Sequence, residues 1–568
     1  MRQWMVAAKK ADFYAIAEKF HVDPVVARII RNREVIGEKN IRIYLGGNLS
    51  DLSDPHQMKD MDRLVEILAQ KIRKQVHIRI IGDYDVDGVT SSHLFLTALR
   101  RVGAKVDVVI PHRIQDGYGL SLHLLQQAKE DGVDTILTCD NGIAAIDEIA
   151  WAKAQKMTVL VTDHHAVPFE EHEGRRTEKK SLADAVVNPH QQDCGYPYKE
   201  LCGAGVAWNV IRVLYENYDM DKREAEDLLD FVAMATVCDV MSLTGENRIL
   251  VKEGLKRIRH TKNIGLQALM QACNVQPENI SAYHFGYVLG PCVNATGRLD
   301  TARHALRLFE TGQETEAEEI ARDLVDLNQE RKELTLQGVE MAKKLCEEGG
   351  YENDPILVLF LPDVHESIAG LIAGRIREMY NRPVFVLTRG EEGVKGSGRS
   401  TENYSMYENM CGCAELFTKF GGHPMAAGLS LPEENVEKFR RKINENCPLT
   451  VEEVCPDIHI DMAMPVGYAS TELVHQFALL EPFGKDNPSP LFADRNLSIS
   501  RMWVIGKNRN VLRMSVLSEY GQPVPVIFFG DVETLFAYFT EKFGQEEVEN
   551  ALHGRKNRIL FSMVYTAK

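Results

Sequence analysis

The sequence predicts an α/β protein: a parallel-sheet domain joined by a long helix to a second α/β domain, followed by a small C-terminal β-barrel. Three observations carry this. Short β-branched runs alternate with helical stretches between about residues 76 and 240, the pattern of βαβ units. Strand signals vanish from about 250 to 350, where Glu314–Glu348 reads as one charge-laced helix without proline or glycine until Gly338. After Pro456 the texture turns to short alternating strands.

Taken in order, residues 1–50 read as a polar helical segment, with an amphipathic stretch at 11–20. Residues 51–250 hold the parallel-sheet domain. Here 76–81, 135–138 and 157–162 are β-branched runs that fit buried parallel strands, with further strands at 106–110 and 185–188 and helices at 91–101 and 122–130. Residues 251–350 are the helical connector. Residues 351–450 supply the second α/β domain: strand 355–360, helix 368–380, strand 383–388, then glycine-rich 395–400, ending near Gly421-Gly422-His423. Residues 451–568 hold the barrel, with strands at 497–504, 511–517 and 524–529. There is no internal repeat or low-complexity tract.

Composition narrows the class. A chain of 568 residues, 44% hydrophobic, with no apolar run long enough to cross a bilayer, is expected to be globular, cytoplasmic and free of the membrane. Met1-Arg2-Gln3-Trp4-Met5 lacks the apolar core of a signal peptide. Eleven cysteines without a Cys-x-x-Cys pair fit reduced thiols, and no zinc site is assigned to Cys411 or Cys413. A net charge of −16 argues against a protein that coats nucleic acid nonspecifically, while leaving room for a nuclease with a local basic groove.

Four acidic segments lie along the first half: Asp83-Tyr84-Asp85-Val86-Asp87-Gly88, Asp140-Asn141-Gly142, Asp163-His164-His165 and Asp239. The first three each follow a β-branched run, and ligands in open α/β sheets bind at the carboxyl ends of strands. A lone Asp-x-Asp at a strand end is usually a cap or turn. Three acids ending consecutive strands, with a histidine pair, instead form a metal centre. Carboxylates with one or two imidazoles suit Mn²⁺ or Mg²⁺ better than zinc. Two such ions about 3.5 to 4 Å apart serve in-line phosphoryl displacement, so the expected chemistry is hydrolysis of a phosphoester or phosphoanhydride. Arg113 in Pro111-His112-Arg113, Arg298 in the glycine-rich loop from Gly290, and Ser397 with Arg399 are candidate phosphate contacts. His423 fits a phosphate contact or a satisfied core position equally well.

These motifs resemble the DHH/DHHA1 phosphoesterase superfamily and, within it, the RecJ-type exonuclease family. Asp83 to Ser91, Asp140-Asn141-Gly142, Asp163-His164-His165 and Val237-Cys238-Asp239-Val240-Met241 are similar to its four acidic motifs. Gly117-Tyr118-Gly119-Leu120, Gly245-Glu246-Asn247-Arg248, Gly290 to Arg298 and Lys395 to Ser400 extend the likeness. Gly421-Gly422-His423 resembles the DHHA1 motif, and Pro482-Phe483-Gly484 with Asn487-Pro488 resembles the opening of an oligonucleotide-binding (OB) barrel.

The resemblance implies stepwise 5′-to-3′ hydrolysis of single-stranded DNA to mononucleotides in repair and recombination. It implies two Mn²⁺ or Mg²⁺ ions on Asp85, Asp87, Asp140, His164 and Asp239, with Asp83 a ligand or close behind, His165 facing the scissile phosphate and Asp163 orienting the histidines. Arg113, Arg298, Ser397 and Arg399 would hold the terminal 5′ phosphate. A monomer working beside a helicase and a single-strand-binding protein is implied in the same way. The sequence departs from the family at Cys292, where arginine is common, at His93, where a small residue is common and a helix surface is expected to accept the ring, and in Gly506 to Arg513, which lacks a usual histidine. Competing readings are a small-substrate phosphoesterase for short oligonucleotides or cyclic dinucleotides, and a non-catalytic DNA-binding replisome scaffold. The region after Pro456 disfavours the first, and the intact acidic set disfavours the second.

Overall fold

The computed structural model describes residues 3–113, 116–117, 119–172, 175–390, 393–506 and 509–568. Tyr118, Lys507 and Asn508 of the motifs above lie outside the described residues. Two compact units are present: Gly47–Pro456 with Pro482–Asn487, and the N-terminal residues up to Gly46 with Asp457–Glu481 and Pro488–Lys568. No helix among the described residues is long and apolar enough to cross a membrane.

The first unit opens on a five-stranded parallel sheet. Its strands are β1 (Ile78–Ile81), β2 (Val106–Val109), β3 (Thr135–Cys139), β4 (Thr158–Thr162) and β5 (Ala185–Val187), in the order β2-β1-β3-β4-β5. β1, β3 and β5 are wholly buried, as the unbroken β-branched runs require of strands covered on both faces. After β1 the chain crosses to β2 on one side, and β3 lies on the other. The crevice left at the carboxyl ends of β1 and β3 is the switch point where such sheets bind ligands.

Helix α1 (Val86–Arg101) follows β1, and it packs against α2 (Gly203–Asn217) and α3 (Leu229–Cys238) to build the largest core. Nearly every side chain of α1 is buried, including His93, which sits 4.4 Å from the Phe231 ring and 5.8 Å from Phe309. The expected surface position for His93 is therefore corrected: the ring is buried against Phe231 and Phe309, although exposed Thr97 and Arg100 follow on the same face of α1 and line a cavity with it. The glycine-rich stretch read as a loop is likewise helix α4 (Gly290–Leu299). Its glycines serve contact rather than flexibility. A Cβ on Gly290 would lie 2.3 Å from Cys238 Sγ, and one on Gly297 would lie 2.4 Å from the Tyr84 carbonyl.

Helix α5 (Glu314–Glu348) runs unbroken for 35 residues into the second sheet. Gly338 survives inside it because a Cβ there would meet Ile372 at 2.3 Å. The second sheet comprises β6 (Leu357–Phe360), β7 (Val384–Gly390), β8 (Gly393–Arg399), β9 (Lys419–His423) and β10 (Ala426–Leu431), in the order β9-β10-β8-β7-β6. Only β6 and β7 are parallel, linked by α6 (Glu366–Tyr380).

In the other unit Trp4–Val6 pairs in parallel with Ile458–Ile460, and Arg33 grips buried Asp461 with two hydrogen bonds of 2.7 and 3.0 Å. The C-terminal sheet curls around β11 (Phe492–Ile505), whose first half pairs with β14 (Leu560–Tyr565) and second half with β12 (Val511–Leu517). β12 in turn pairs with β13 (Pro523–Phe529). Register shifts at Ile499/Arg501 and Asp494/Leu497 bend the long strand.

Candidate metal centre and phosphate pocket

Each acidic segment emerges from the carboxyl edge of the first sheet or from the helix end beside it. Asp85 caps α1, accepting from the Gly88 N–H at 3.0 Å. Asp83 accepts from the Gly119 N–H at 3.3 Å. The first turn of α1 fits beneath Asp83 only because residue 88 is glycine, since a Cβ there would lie 2.5 Å from Asp83 backbone atoms. Asp87 is buried and receives the Gly203 and Ala204 N–H groups at 2.6 and 2.7 Å, so the N-terminus of α2 holds its carboxylate. Asp140, after β3, has φ 61°, a left-handed conformation that costs energy outside glycine and recurs at functional sites. Asp239 caps the C-terminus of α3.

Asp163 organises the histidine pair. Its Oδ1 accepts from the His164 and His165 N–H groups at 2.7 and 3.1 Å and pairs with His165 Nδ1 at 2.8 Å, while Oδ2 accepts from the Ile143 N–H at 2.8 Å. Burial opposes its charge, but the His165 hydrogen bond and the fields of both histidines hold its pKa below the usual range. Burial also works against the His165 imidazolium, yet Asp163, Asp239 and Asp87 outweigh it and raise the pKa to about 9.

The remaining groups are balanced for a cation. Buried His164 points Nε2 at Asp140 Oδ1 (3.0 Å), Asp87 Oδ2 (3.6 Å) and Asp239 Oδ2 (3.6 Å), out of line for a hydrogen bond with any of them. Burial lowers its pKa, leaving the neutral imidazole that a metal binds. Burial first, and then neighbouring carboxylates, push Asp83, Asp140 and Asp239 well above the ordinary range and raise Asp85 as well. Ligand atoms of Asp140, His164 and His165, of Asp87, His164 and Asp239, and of Asp83, Asp85 and Asp140 each lie within 4.8 Å of one another. In the first set His165 Nδ1 is already engaged by Asp163; the other two, of carboxylates with the His164 imidazole, fit Mn²⁺ or Mg²⁺. Burial pushes the nearby Cys139 thiol up to about 12, and it belongs to none of the three sets.

A second cluster carries the opposite charge. A cavity of about 450 Å³ is lined by Tyr84 and Arg113 of the first α/β domain and by Glu366, Lys395, Ser397 and Gly421 of the second. The Arg113 guanidinium lies 5.0 Å from the Tyr84 ring centre. Arg298 donates to the Ser367 carbonyl at 2.6 Å; burial, with Arg113, Arg331 and Arg399 nearby, lowers its pKa to about 10. Burial, then Arg377 and Arg113, lowers that of Arg399. Among the described residues no carboxylate pairs with Arg113, Arg298 or Arg399, and the three feel one another's charge; Arg113 lines the cavity, Arg298 and Arg399 do not, and the Glu366 carboxylate in its wall is taken by Lys395. His423 ends β9 exposed to solvent and does not line this cavity.

Among the supporting residues Asn141 and Asn294 stand within motifs quoted above, whereas Gly203, Ala204 and Asn188 carry no sequence signal of their own. Gly203 and Ala204 act through backbone N–H groups. Asn294 accepts the Val86 N–H at 3.2 Å, Asn141 donates to the Ile81 and Cys139 carbonyls at 3.0 and 2.9 Å, and Asn188 donates to the His165 carbonyl at 2.9 Å. Cys292 is buried, with its Sγ 3.8 Å from Cys273 Sγ, and lies in the core rather than in the cationic pocket. On the C-terminal sheet Trp503 lies between Arg501 and Arg513, 4.9 and 5.9 Å from its ring centre, and Arg513 faces Ile527 on the next strand, which is 51% exposed. Aromatic and cationic groups on one sheet face suit single-stranded nucleic acid.

An acid-and-histidine centre at the edge of a parallel sheet, beside a cationic pocket shared with a second α/β domain, defines a phosphoesterase of the DHH/DHHA1 class. Residues 77–236 match the DHH family N-terminal domain, 353–447 the DHHA1 domain and 460–563 the RecJ OB domain. Within that class the chain belongs to the RecJ family. It is 34% identical over 518 residues to the single-stranded-DNA-specific exonuclease RecJ of Haemophilus influenzae, covering 88% of each chain. Identity to the RecJ of Bacillus subtilis is 33% over 512 residues, 89% of this chain but only 63% of that protein's length. RecJ of Thermus thermophilus in complex with Mn²⁺ superposes with a TM-score of 0.78 at 27% identity, over 93% of this chain and 74% of that one. Its Mg²⁺ complex gives 0.73 at 26% identity, over 93% and 73%.

Proposed function

We propose that this chain hydrolyses single-stranded DNA from its 5′ end, releasing 5′-mononucleotides, in DNA repair and recombination. The observation that carries the reading is the cluster of three uncompensated arginines beside Tyr84, next to the carboxylate centre. A phosphate monoester seated there would be a strand terminus, with the next phosphodiester at the acids.

In this reading Asp83, Asp85, Asp87, Asp140, His164 and Asp239 hold two Mn²⁺ or Mg²⁺ ions, which supply charge neutralisation at the scissile phosphate and acidify the attacking water. The chain's own groups position and stabilise. Arg113, Arg298 and Arg399, with the Ser397 hydroxyl, fix the terminal phosphate and hence the register of the strand. His165, kept protonated and oriented by Asp163, presents an N–H to charge developing on the phosphoryl oxygens. Trp503, Arg501 and Arg513 contact bases and backbone of the strand. On family likeness, the enzyme is a cytoplasmic monomer that works beside a helicase and a single-strand-binding protein.

The test is digestion of single-stranded DNA labelled at either end, with Mn²⁺ or Mg²⁺, beside Asp140→Ala. Wild type is expected to shorten the strand only from the 5′ side, and the variant to do nothing. Equal attack from the 3′ end sinks the polarity, and activity confined to dinucleotides moves the assignment to a small-substrate phosphoesterase.

A further inference from the structure

Helix α4 lies along the centre as a ruler. At its C-terminal end Gly297 abuts the Tyr84 carbonyl and Arg298 joins the arginine cluster. In its middle Asn294 holds the Val86 N–H, one residue from Asp85. At its N-terminal end Gly290 abuts Cys238, one residue from Asp239. Ten residues at a rise of about 1.5 Å place the two ends roughly 14 Å apart. The order along this ruler is phosphate anchor, then metal ligands.

Beyond the last ligand comes a short π-helix, Phe285–Leu289, preceded by a helical turn, Ala282–His284. Such turns are uncommon and concentrate at functional sites. Here the π-helix fixes two tyrosines in water: the Tyr283 and Tyr287 rings stack with centres 5.1 Å apart and planes 23° from parallel, at 61% and 72% exposure. Their backbone is pinned to the helix that ends in Asp239. The Cys238 thiol donates to the Phe285 carbonyl at 3.3 Å, and Gly286 lies against Val237. Val240, just after Asp239, is 61% exposed as well.

We infer that Tyr283 and Tyr287 form a stacking platform for a base of the single strand at least two nucleotides to the 3′ side of the scissile phosphate. This rests on the proposed 5′-end reading, because α4 then orders the strand from anchored terminus through the metal ligands to the tyrosines. The platform carries no charge, so it recognises the flat face of a base rather than a phosphate, and any of the four bases fits it.

The test compares Tyr283→Ala/Tyr287→Ala and Tyr283→Phe/Tyr287→Phe with wild type on a long 5′-phosphorylated single strand and on a dinucleotide, whose one nucleoside 3′ of the scissile phosphate stops short of the tyrosines. For the alanine pair the KM on the long strand is expected to rise about tenfold, within the range base–aromatic stacking supplies. Its kcat and its dinucleotide hydrolysis stay unchanged, and the phenylalanine pair behaves as wild type. An unchanged KM on the long strand, or an equal loss on the dinucleotide, overturns the platform alone. A wild type that shortens no single strand overturns both the platform and the reading beneath it.

Discussion

Gly203→Ala tests how tightly the metal centre is built. A Cβ at residue 203 would lie 2.6 Å from Asp140 Cβ, 2.9 Å from its Cα and 3.0 Å from Oδ1. Two carbons need about 3.5 Å, so they must part by about 0.9 Å. Neither side yields easily. Asp140 is already held at φ 61°, and Gly203 is pinned at the start of α2 by its hydrogen bond to Asp87. Overpacking of this kind costs about 1 to 3 kcal/mol in stability. The larger effect falls on catalysis, because a misplacement near 1 Å costs about a hundredfold in rate. Single-turnover hydrolysis of single-stranded DNA, Mn²⁺ titration by calorimetry and thermal unfolding should show a rate down about a hundredfold, weaker Mn²⁺ binding and a modest fall in Tm. Gly205→Ala is the control: its Cβ would meet Leu201 at 3.4 Å, which is ordinary contact, and it should leave rate and Mn²⁺ affinity near wild type. A Gly203→Ala enzyme with full rate and full Mn²⁺ affinity would falsify the view that Gly203 sets the position of Asp140.

Three further outcomes are expected. Arg399→Ala removes one of three arginines that lack a carboxylate partner, and kcat/KM should fall about tenfold or more on 5′-phosphorylated strands, by the value of a charged hydrogen bond. A matching fall on 5′-hydroxyl strands counts against a terminal-phosphate role. Burial, with Arg100, lowers the His93 pKa to about 3, so below its unfolded value near 6.5 the unfolded chain takes up a proton that the native state refuses. Stability is then lost as pH falls, by about 1.4 kcal/mol per unit; urea unfolding at pH 7.5 and 5.5 should show His93→Phe escaping that loss, and equal losses refute it. Mn²⁺ should raise Tm by relieving repulsion among the clustered carboxylates, and by less in Asp239→Asn; an equal shift argues against Asp239 as a ligand.

What sequence could reveal followed from side-chain chemistry at predictable places. The acids of β1, β3 and β4 were legible because β-branched runs mark strands and parallel strands bring their carboxyl ends to one edge. The unbroken helix Glu314–Glu348 was legible because only one glycine interrupts its pattern. Gly203 and Ala204 were not, since they act through backbone N–H groups that any non-proline residue carries. His93 was misplaced because a polar residue in a helix suggests a wet face, whereas its ring is buried by Phe231 and Phe309, more than 100 residues away. Nor could local patterns show that Trp4–Val6 would pair with Ile458–Ile460, a choice made entirely by packing across the length of the chain.

The cationic pocket has walls from both α/β domains of its unit, and a single helix, Glu314–Glu348, is the covalent route between them. A chain severed in that helix would keep each acid and both histidines yet lose Lys395, Ser397 and Arg399. Under the proposed function it would retain the means to break a phosphodiester and forfeit the means to tell a terminus from an interior. On that reading, counting from an end is a property of two domains being held together, and stiffness in that helix would bear on fidelity as much as any residue proposed to touch phosphate.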